Sequence, residues 1–270
     1  MKGIYLCPTP IGNLEDISLR TLKVLENVDI IACEDTRVSK LLLDHYNIKK
    51  PLISYHKFNY MSQIPHILEN LKEDKAYAFI SDAGMPGISD PGTEILQACI
   101  EENIPVNVLP GASASLVALV LSGLDTERFT FIGFVPEKSS QRKKELENLK
   151  TYKETLIFYE APHRIHKFLL DLYEVFGDRK VSISRELTKY YEETIRKNLS
   201  QIIENKDLIK AKGEFVVVVQ GYQEEEADID IEGQLKELLD QGLTKKDAVK
   251  EVAKKFNLKK NLVYEKSLDL

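Results

Sequence analysis

A glycine- and proline-rich segment, residues 79–92, is the part of the sequence best suited to bind a ligand. The apolar run 77–80 predicts a buried strand, and it ends abruptly at Ser81-Asp82. Glycine supplies backbone freedom in the loop that follows, and proline fixes its shape. A strand that enters such a loop and continues into a helix is a usual ligand site in an α/β sheet. A crossover loop with turn chemistry alone is the other interpretation.

The same loop lacks the common nucleotide-binding fingerprints. The sequence contains neither Gly-x-x-x-x-Gly-Lys-Ser/Thr nor a Gly-x-Gly-x-x-Gly that follows a strand. These motifs mark P-loop enzymes and dinucleotide or Rossmann-type folds. We therefore expect a ligand cradle of a different kind.

Composition predicts a globular protein with more than one domain. The chain has 270 residues, of which 43% are hydrophobic and 30% charged. Its beginning leads directly into a predicted strand, and no apolar run is long enough to span a bilayer. The three cysteines are widely spaced, which favours reduced thiols, so we expect a cytoplasmic protein without membrane contact. His163 and His166 lack further ligand-spaced partners, so we expect no metal site.

Charge is unevenly distributed along the chain. The formal net charge is −6, yet residues 138–153 and 242–262 are rich in Lys and Arg, and residues 224–240 are acidic. Basic segments on an acidic protein indicate docking sites for a phosphate backbone, with solvated helix faces as the alternative. The candidate residues for such phosphate contacts are Arg142, Lys143, Lys245, Lys246, Lys254, Lys255 and Lys259.

Apolar periodicity predicts alternating strands and helices. The predicted strands are 4–7, 30–33, 77–80, 106–108, 129–135, 156–160, 180–184 and 214–220. The predicted helices are 18–26, 36–45, 61–73, 92–102, 112–122, 139–152, 162–176, 187–197 and 198–206. This alternation is typical of an α/β architecture with largely parallel sheets.

Three regions follow from composition. We predict an N-terminal α/β domain over 1–122 and a C-terminal α/β domain over 123–222. Residues 223–270 are predicted to form an acidic linker and a small helix-turn-helix-like tail. Thr244, three residues before Asp247, is a plausible N-cap within that tail.

Eight separated segments occur together in one order. They are 8–17 (PTPIGNLEDI), 32–37 (ACEDTR), 54–59 (SYHKFN), 82–92, 109–114 (LPGASA), 159–164 (YEAPHR), 184–189 (SRELTK) and 213–216 (GEFV). In this order the chain resembles the bacterial ribosomal RNA small-subunit methyltransferase I family, tetrapyrrole-methylase-like enzymes that use S-adenosylmethionine. Ala161 stands where many members of that family have Ser.

The resemblance implies a fold and an activity. It implies a two-domain tetrapyrrole methylase-like (class III methyltransferase) fold with the cofactor in the cleft between the domains. It implies methyl transfer to the ribose 2′-hydroxyl of a cytidine in the decoding region of 16S rRNA. The implied partners are 16S rRNA in the 30S subunit and a second copy of the chain.

Short backbone loops at 8–12, 82–86 and 111–114 suit this cofactor. Amides at the start of a helix favour its carboxylate, and tight turns expose further donors and acceptors. With the resemblance, they give these cofactor-binding candidates: Pro10, Asp82, Ala83, Gly84, Met85, Ser89, Gly111, Ala112, Ser113, Ala114, Ala161 and Glu214.

Methyl transfer to a hydroxyl is an in-line displacement that depends mainly on positioning. The hydroxyl must lose a proton, which favours a nearby base or a cation. The catalytic candidates are Glu160, Arg164, Glu186 and Lys189, and residues 34–37 also supply charged groups. Structural ion pairs are the alternative for Glu160 with Arg164 and for Glu186 with Lys189. Arg37 and Lys57, in two of the matching segments, are further RNA-binding candidates.

Two other function classes remain open. One is a small-molecule methylase of the tetrapyrrole type, which has no evident need for a lysine-rich tail. The other is a non-enzymatic RNA-binding module, which has no evident need for the loops at 8–12 and 82–92.

Overall fold

A computed structural model of the protein describes residues 1–224, 230–256 and 258–268. The chain divides into one unit over Met1–Tyr222 and another over Gln223–Leu270. The first unit contains two β-sheets with helices on their faces. The predicted α/β fold class with a helical C-terminal extension is confirmed.

The first sheet is five-stranded and parallel throughout, with strand order β3-β2-β4-β1-β5. Its strands are β1 (Gly3–Leu6), β2 (Ile30–Cys33), β3 (Leu52–Ser54), β4 (Ala76–Ile80) and β5 (Val106–Val108). Every residue of β4 is buried, as expected for a central strand with helices on both sides. The glycine-rich loop begins at the carboxyl end of β4, directly after Ile80.

The second sheet is five-stranded and mixed, with strand order β6-β7-β10-β8-β9. Its strands are β6 (Phe129–Phe134), β7 (Thr155–Glu160), β8 (Lys180–Arg185), β9 (Glu193–Asn198) and β10 (Phe215–Val219). Only β6 and β7 pair in parallel, whereas β10 is antiparallel to both of its neighbours. The prediction of largely parallel sheets is therefore wrong for this half.

Eight α-helices of the first unit cover the faces of the two sheets. They are α1 (Leu19–Asn27), α2 (Thr36–His45), α3 (Tyr60–Lys72), α4 (Thr93–Glu101), α5 (Ala114–Ser122), α6 (Ser139–Leu149), α7 (Ile165–Phe176) and α8 (Leu199–Glu204). None of the helices in the described part of the chain is long and apolar enough to cross a membrane.

The two faces of each sheet have separate cores. In β4, Ala78 packs toward α1 and α2, whereas Phe79 packs toward α3 and α4. In β10, Val217 packs toward α6 and α7, whereas Val216 and Val218 pack toward α5. Side chains that alternate in this way explain why the sequence shows continuous apolar runs at both central strands.

Helix α5 packs against the second sheet rather than the first. Ala118 and Leu119 on α5 join Val216 and Val218 in one core cluster. The chain therefore passes from one sheet to the other between β5 and α5, ahead of the predicted boundary at residue 122.

The segment predicted as helix 187–197 is a turn followed by strand β9, so that prediction is wrong. Glu186 and Thr188 have positive φ values of 51° and 63°, which a helix cannot accommodate. Ile195 then pairs with Ile183 on the exposed edge of the sheet. The prediction also missed β3, a three-residue strand directly after Pro51.

The second unit is a small three-helix assembly. Its helices are α9 (Ile231–Asp240), α10 (Lys245–Lys255) and α11 (Lys260–Ser267), packed around Leu235, Val252 and Val263. The side chain of Thr244 accepts a hydrogen bond from Asp247 N, which confirms the predicted N-cap. Of the acidic stretch 224–240, residues 225–229 lie outside the described residues, whereas Ile231–Asp240 form α9.

Candidate active site

A cavity of about 300 Å³ opens where the β4–α4 loop faces the second sheet. Small-molecule sites typically start at about this size. Several separated stretches of the chain form its wall, namely residues 83–85, 88–90, 113–114, 159–162 and 214–216 together with Ile11, Phe134 and Leu187. The cavity is therefore built from loops of both sheets.

The β4–α4 loop keeps an irregular backbone in the cavity wall. Gly84 has φ 77° and Gly92 has φ 137°, conformations that favour glycine. Gly84 exchanges two backbone hydrogen bonds with Thr9, at 2.9 and 3.0 Å, and the Thr9 hydroxyl donates to Ser81 O. These bonds fix the loop against the segment that follows β1.

The segment after β1 also contacts the second sheet. A Cβ atom on Gly12 would lie 2.5 Å from Lys189 Cγ and 2.7 Å from Thr188 Oγ1. Asn13 N donates to Thr188 Oγ1 at 3.0 Å. Residues 8–13 therefore connect the β4–α4 loop on one side with the turn after β8 on the other.

Glu160, at the end of β7, places a buried carboxylate in the cavity wall. Its Oε1 accepts hydrogen bonds from Ala161 N at 2.7 Å and from Arg164 Nε at 2.6 Å. Its Oε2 is buried and has no hydrogen-bond partner among the residues that the structure describes. Because an unsatisfied buried carboxylate oxygen is costly, this atom is suited to accept a hydrogen bond from a ligand.

The turn after β8 joins two charged side chains outside the cavity wall, Glu186 and Lys189, to Glu214, which lines the cavity. Glu186 Oε1 accepts from Glu214 N and from Lys189 Nζ, both at 3.0 Å, and Lys189 Nζ lies 2.8 Å from Glu214 Oε2. Partial burial opposes both charges, but these bonds lower the pKa of Glu186 and raise that of Lys189. The predicted pair exists, although in a turn and not on a helix.

Three carboxylates gather beside the β4–α4 loop. Asp82 Oδ1 accepts from Asp35 N at 3.1 Å. Burial is the main reason why the pKa of Asp90 is raised to about 7, and repulsion from Glu34 and Asp82 adds to it. Burial is also the main reason why the pKa of Glu34 is raised, and repulsion from Asp82 adds to it. The cavity wall at Asp90 therefore adjoins a cluster of acidic side chains.

The structure brings most of the predicted cofactor-binding residues into one wall. Those that line the cavity are Ala83, Gly84, Met85, Ser89, Ser113, Ala114, Ala161 and Glu214, and Glu160 is the catalytic candidate among them. Pro10, Asp82, Gly111 and Ala112 lie outside this wall, as do Arg164, Glu186 and Lys189. Gly111 packs tightly against Pro8, because a Cβ atom there would lie 2.5 Å from Pro8 Cβ.

Several lining residues were missed by the sequence reasoning. Asp90 belongs to the second of two Ser-Asp pairs in the same loop, and that repetition was the signal available. Phe134, Tyr159 and Val216 lie at or next to the ends of strands and Leu187 lies in a turn, and they carry no chemical signal of their own. They line the cavity because the second sheet folds against the first.

The predicted RNA-binding residues fall into two groups. Arg37, Lys57 and the five tail lysines are exposed, with Arg37 paired to Asp35 and Lys57 over the Phe58 ring. Arg142 is only 2% exposed and pairs with buried Asp171 at 2.6 Å, so its prediction as an RNA contact is wrong. Lys143, its neighbour, is more exposed and pairs with Glu174 and Asp171.

The architecture is that of a known class of methylases. Residues 3–203 match the family model of the tetrapyrrole (corrin/porphyrin) methylases, and residues 225–270 match the RsmI C-terminal HTH domain. A diphthine synthase structure aligns with TM-score 0.62 at 13% identity, covering 80% of this chain and 89% of that one. The uroporphyrin-III C-methyltransferase of Thermus thermophilus, complexed with S-adenyl homocysteine, aligns with TM-score 0.57 at 17% identity, covering 81% and 97%. These structures share the fold.

Sequence comparison narrows the class to one family. The chain is 44% identical to ribosomal RNA small subunit methyltransferase I of Bacillus subtilis (strain 168), over 98% of this chain and 94% of that protein. It is 41% identical to the protein of the same name from Synechocystis sp., over 100% and 99%. The chain belongs to the ribosomal RNA small subunit methyltransferase I family, and the resemblance noted in its sequence is confirmed.

Proposed function

We propose that this protein transfers the methyl group of S-adenosylmethionine to the ribose 2′-hydroxyl of a cytidine in the decoding region of 16S rRNA. Methylation of small-subunit rRNA follows from membership of the family. The 2′-oxygen, the cytidine and the intact 30S subunit as substrate are the proposed refinements. The observation that carries the proposal is a cavity of this fold with an unsatisfied buried carboxylate oxygen in its wall.

The residues of the cavity fit S-adenosylmethionine. Backbone groups at 83–85 and at the start of α5 would hold its polar ends, while Glu160 Oε2 would accept from one of its donors or from the substrate. The loop packs closely on the segment after β1 at Gly84, where a Cβ atom would lie 3.2 Å from Ile11 Cγ2. When bound, the cofactor supplies a methyl group already activated by a positively charged sulfur.

The protein's own contribution is positioning. Phe134, Tyr159, Leu187 and Val216 give the cavity an apolar side. Arg164 holds Glu160 in place and donates to Val135 O at 3.1 Å. Because methyl transfer is an in-line displacement, groups fixed in this way supply much of the rate enhancement.

Methyl incorporation into 30S subunits that lack the modification would test this function. Purified protein and labelled S-adenosylmethionine would be mixed with such subunits, with free 16S rRNA, or with a precursor porphyrin. We expect label in the rRNA of the 30S subunits, in a dinucleotide that resists alkaline cleavage because its 2′-oxygen is methylated. Label on a base, or on the porphyrin alone, would contradict the proposal.

We further propose that the protein is a homodimer in which α5 contributes to the contact. This helix is apolar on both faces: Leu119 is buried, while Leu116 and Val120 are 50% and 74% exposed. A helix that is apolar all round is normally buried. A second copy of the chain is the partner that the family resemblance implies.

Replacing Val120 with aspartate should weaken the dimer at least 10-fold, because a charge would be buried at the contact. Light scattering over a dilution series measures this. Leu41→Asp is the matched control, since Leu41 on α2 is equally exposed, at 74%. A Val120→Asp protein with the mass and dissociation constant of the parent would exclude α5 from the contact.

Removal of residues 224–270 should leave S-adenosylmethionine affinity unchanged and weaken 30S binding. Lys245, Lys246, Lys254, Lys255 and Lys259 are all exposed on the tail helices or beside them. Lysine offers a point charge that suits phosphates. The slope of the logarithm of the 30S binding constant against the logarithm of salt concentration should therefore become shallower by about 0.7–0.9 per lost phosphate contact. Binding titrations at several salt concentrations measure the slope. An unchanged slope would assign the tail another role.

A further inference from the structure

We propose that Asp90 is the catalytic residue that accepts the proton of the ribose hydroxyl during methyl transfer. This inference rests on the proposed function, because it assigns a role within that reaction. Four observations carry it: the place of Asp90 in the cavity wall, its rigid backbone, its lack of a partner, and the charges that face it.

Asp90 lies in the cavity wall on a constrained piece of backbone. Ser89 before it has a positive φ of 62°, and Pro91 after it has a φ fixed by its ring. The loop also packs closely on β6, since a Cβ atom on Gly133 would lie 3.0 Å from Ser89 Oγ. These contacts fix the backbone that carries Asp90, and a catalytic base requires such positioning.

The Asp90 carboxylate has no hydrogen-bond or ion-pair partner among the described residues. Two other carboxylates near the cavity pair with cations: Glu186 with Lys189, and Glu160, through its Oε1 atom alone, with Arg164. Asp90 is therefore free to receive a proton.

The groups that face Asp90 are acidic or neutral. Glu34 from the end of β2 and Asp82 from the same loop repel its charge, and Tyr159 from β7 lies near it. Burial, the largest cause, and this repulsion, the next largest, together raise the pKa of Asp90 to about 7. A general base is most effective when its pKa lies near the working pH, because it is then largely ionised and still basic.

The proton and electron balance is simple. The hydroxyl oxygen forms a bond to the methyl carbon, the bond between that carbon and sulfur breaks, and its electron pair remains on sulfur. The hydroxyl proton passes to an Asp90 carboxylate oxygen. Asp90 loses its negative charge as the donor loses its positive charge, so the net charge of the enclosed site does not change. A low-dielectric cavity favours such a balance.

The variant Asp90→Asn tests this role. We expect its turnover number to fall roughly 100-fold or more, the usual scale for a general base. S-adenosylmethionine affinity, measured by isothermal titration, should stay within a few-fold of the parent. Asp44→Asn, on the exposed surface of α2, is the matched control and should retain full turnover.

The pH profile separates catalysis from a structural role. Asp90 must be ionised to accept a proton, so wild-type turnover should rise as the pH rises through about 7. Asp90→Asn should lack this limb. Glu34→Gln removes a repelling charge and should move the limb to lower pH, because the pKa of Asp90 then falls. If the role of Asp90 were only structural, the rising limb of the pH profile would not shift when Glu34 is replaced.

Defined outcomes would overturn the inference. Turnover at the wild-type rate in Asp90→Asn would do so. So would a pH profile whose rising limb lies at the same pH in Glu34→Gln, in Asp82→Asn and in the wild type. The pH profiles of these two variants decide the question if Asp90→Asn does not fold. Failure of the wild-type protein to methylate 30S subunits would instead remove the proposed function itself.

Discussion

Glu160→Gln is expected to lower turnover roughly 100-fold, with a much smaller effect on the binding of S-adenosylmethionine. Glutamine has the shape of glutamate but carries one donor and one acceptor in place of two acceptors. Arg164 and Ala161 N both need an acceptor at Oε1, so the amide nitrogen would occupy the position of Oε2. The cavity would then present a donor where it now presents a buried acceptor.

Single-turnover methylation of 30S subunits at saturating cofactor would measure the effect. Glu204→Gln on α8 changes the same chemical group on the exposed surface and should leave the rate unchanged. A Glu160→Gln protein that methylates at the parent rate would show that the Oε2 atom takes no part in the reaction.

Arg142→Met is expected to destabilise the first unit by about 3–5 kcal/mol, the cost of leaving a buried charge without its partner. Arg142 donates to Asp171 Oδ2 and to the carbonyls of Pro136 and Glu137. The side chains of the ion pair are only 2% and 6% exposed. Denaturant unfolding followed by circular dichroism would measure the loss.

Lys143→Met is the matched control, because Lys143 is the next residue of α6 and also pairs with Asp171. Its side chain is 38% exposed, so solvent screens the interaction and little change in stability is expected. Arg142→Met combined with Asp171→Leu should recover most of the loss, since no charge is then left buried. Equal losses of stability in Arg142→Met and Lys143→Met would contradict the view that only the buried position on α6 needs its charge paired.

The two central strands and the glycine-rich loop were predictable from sequence. β4 and β10 are buried on both faces, so each appears as a continuous apolar run. The glycine and proline residues after β4 predict a loop there, because their backbone preferences are local. Local chemistry of this kind does not depend on the rest of the fold, which is why the sequence reveals it.

Arg142 shows how a local pattern can mislead. It lies in a run of basic residues, which suggests an exposed face, yet Leu146 and Leu149 follow it at helical spacing and are buried. Arg142 therefore lies on the buried stripe of α6. Only its partner, Asp171 on α7, makes that position tolerable, and the two residues are 29 positions apart.

The cavity itself was beyond sequence reasoning. Ile11, Asp90, Glu160, Leu187 and Glu214 become neighbours only when the two sheets fold against each other. Strand β9 was mistaken for a helix because it is an exposed edge strand without an apolar stripe. Pairing across a sheet decides such segments, and pairing is not visible along the chain.

The loop formed by residues 8–13 has a consequence for the order of folding. It follows the first strand, yet the hydrogen bond from Asn13 N to Thr188 joins residues 175 positions apart. Closing so long a loop carries a large entropy cost, and contacts of high sequence separation form slowly. Residues made at the beginning of translation must therefore wait for most of the catalytic unit to be synthesised. A chain that ends before β8 lacks the partner of residues 8–13, so we expect the wall of the cavity to be completed only late in synthesis.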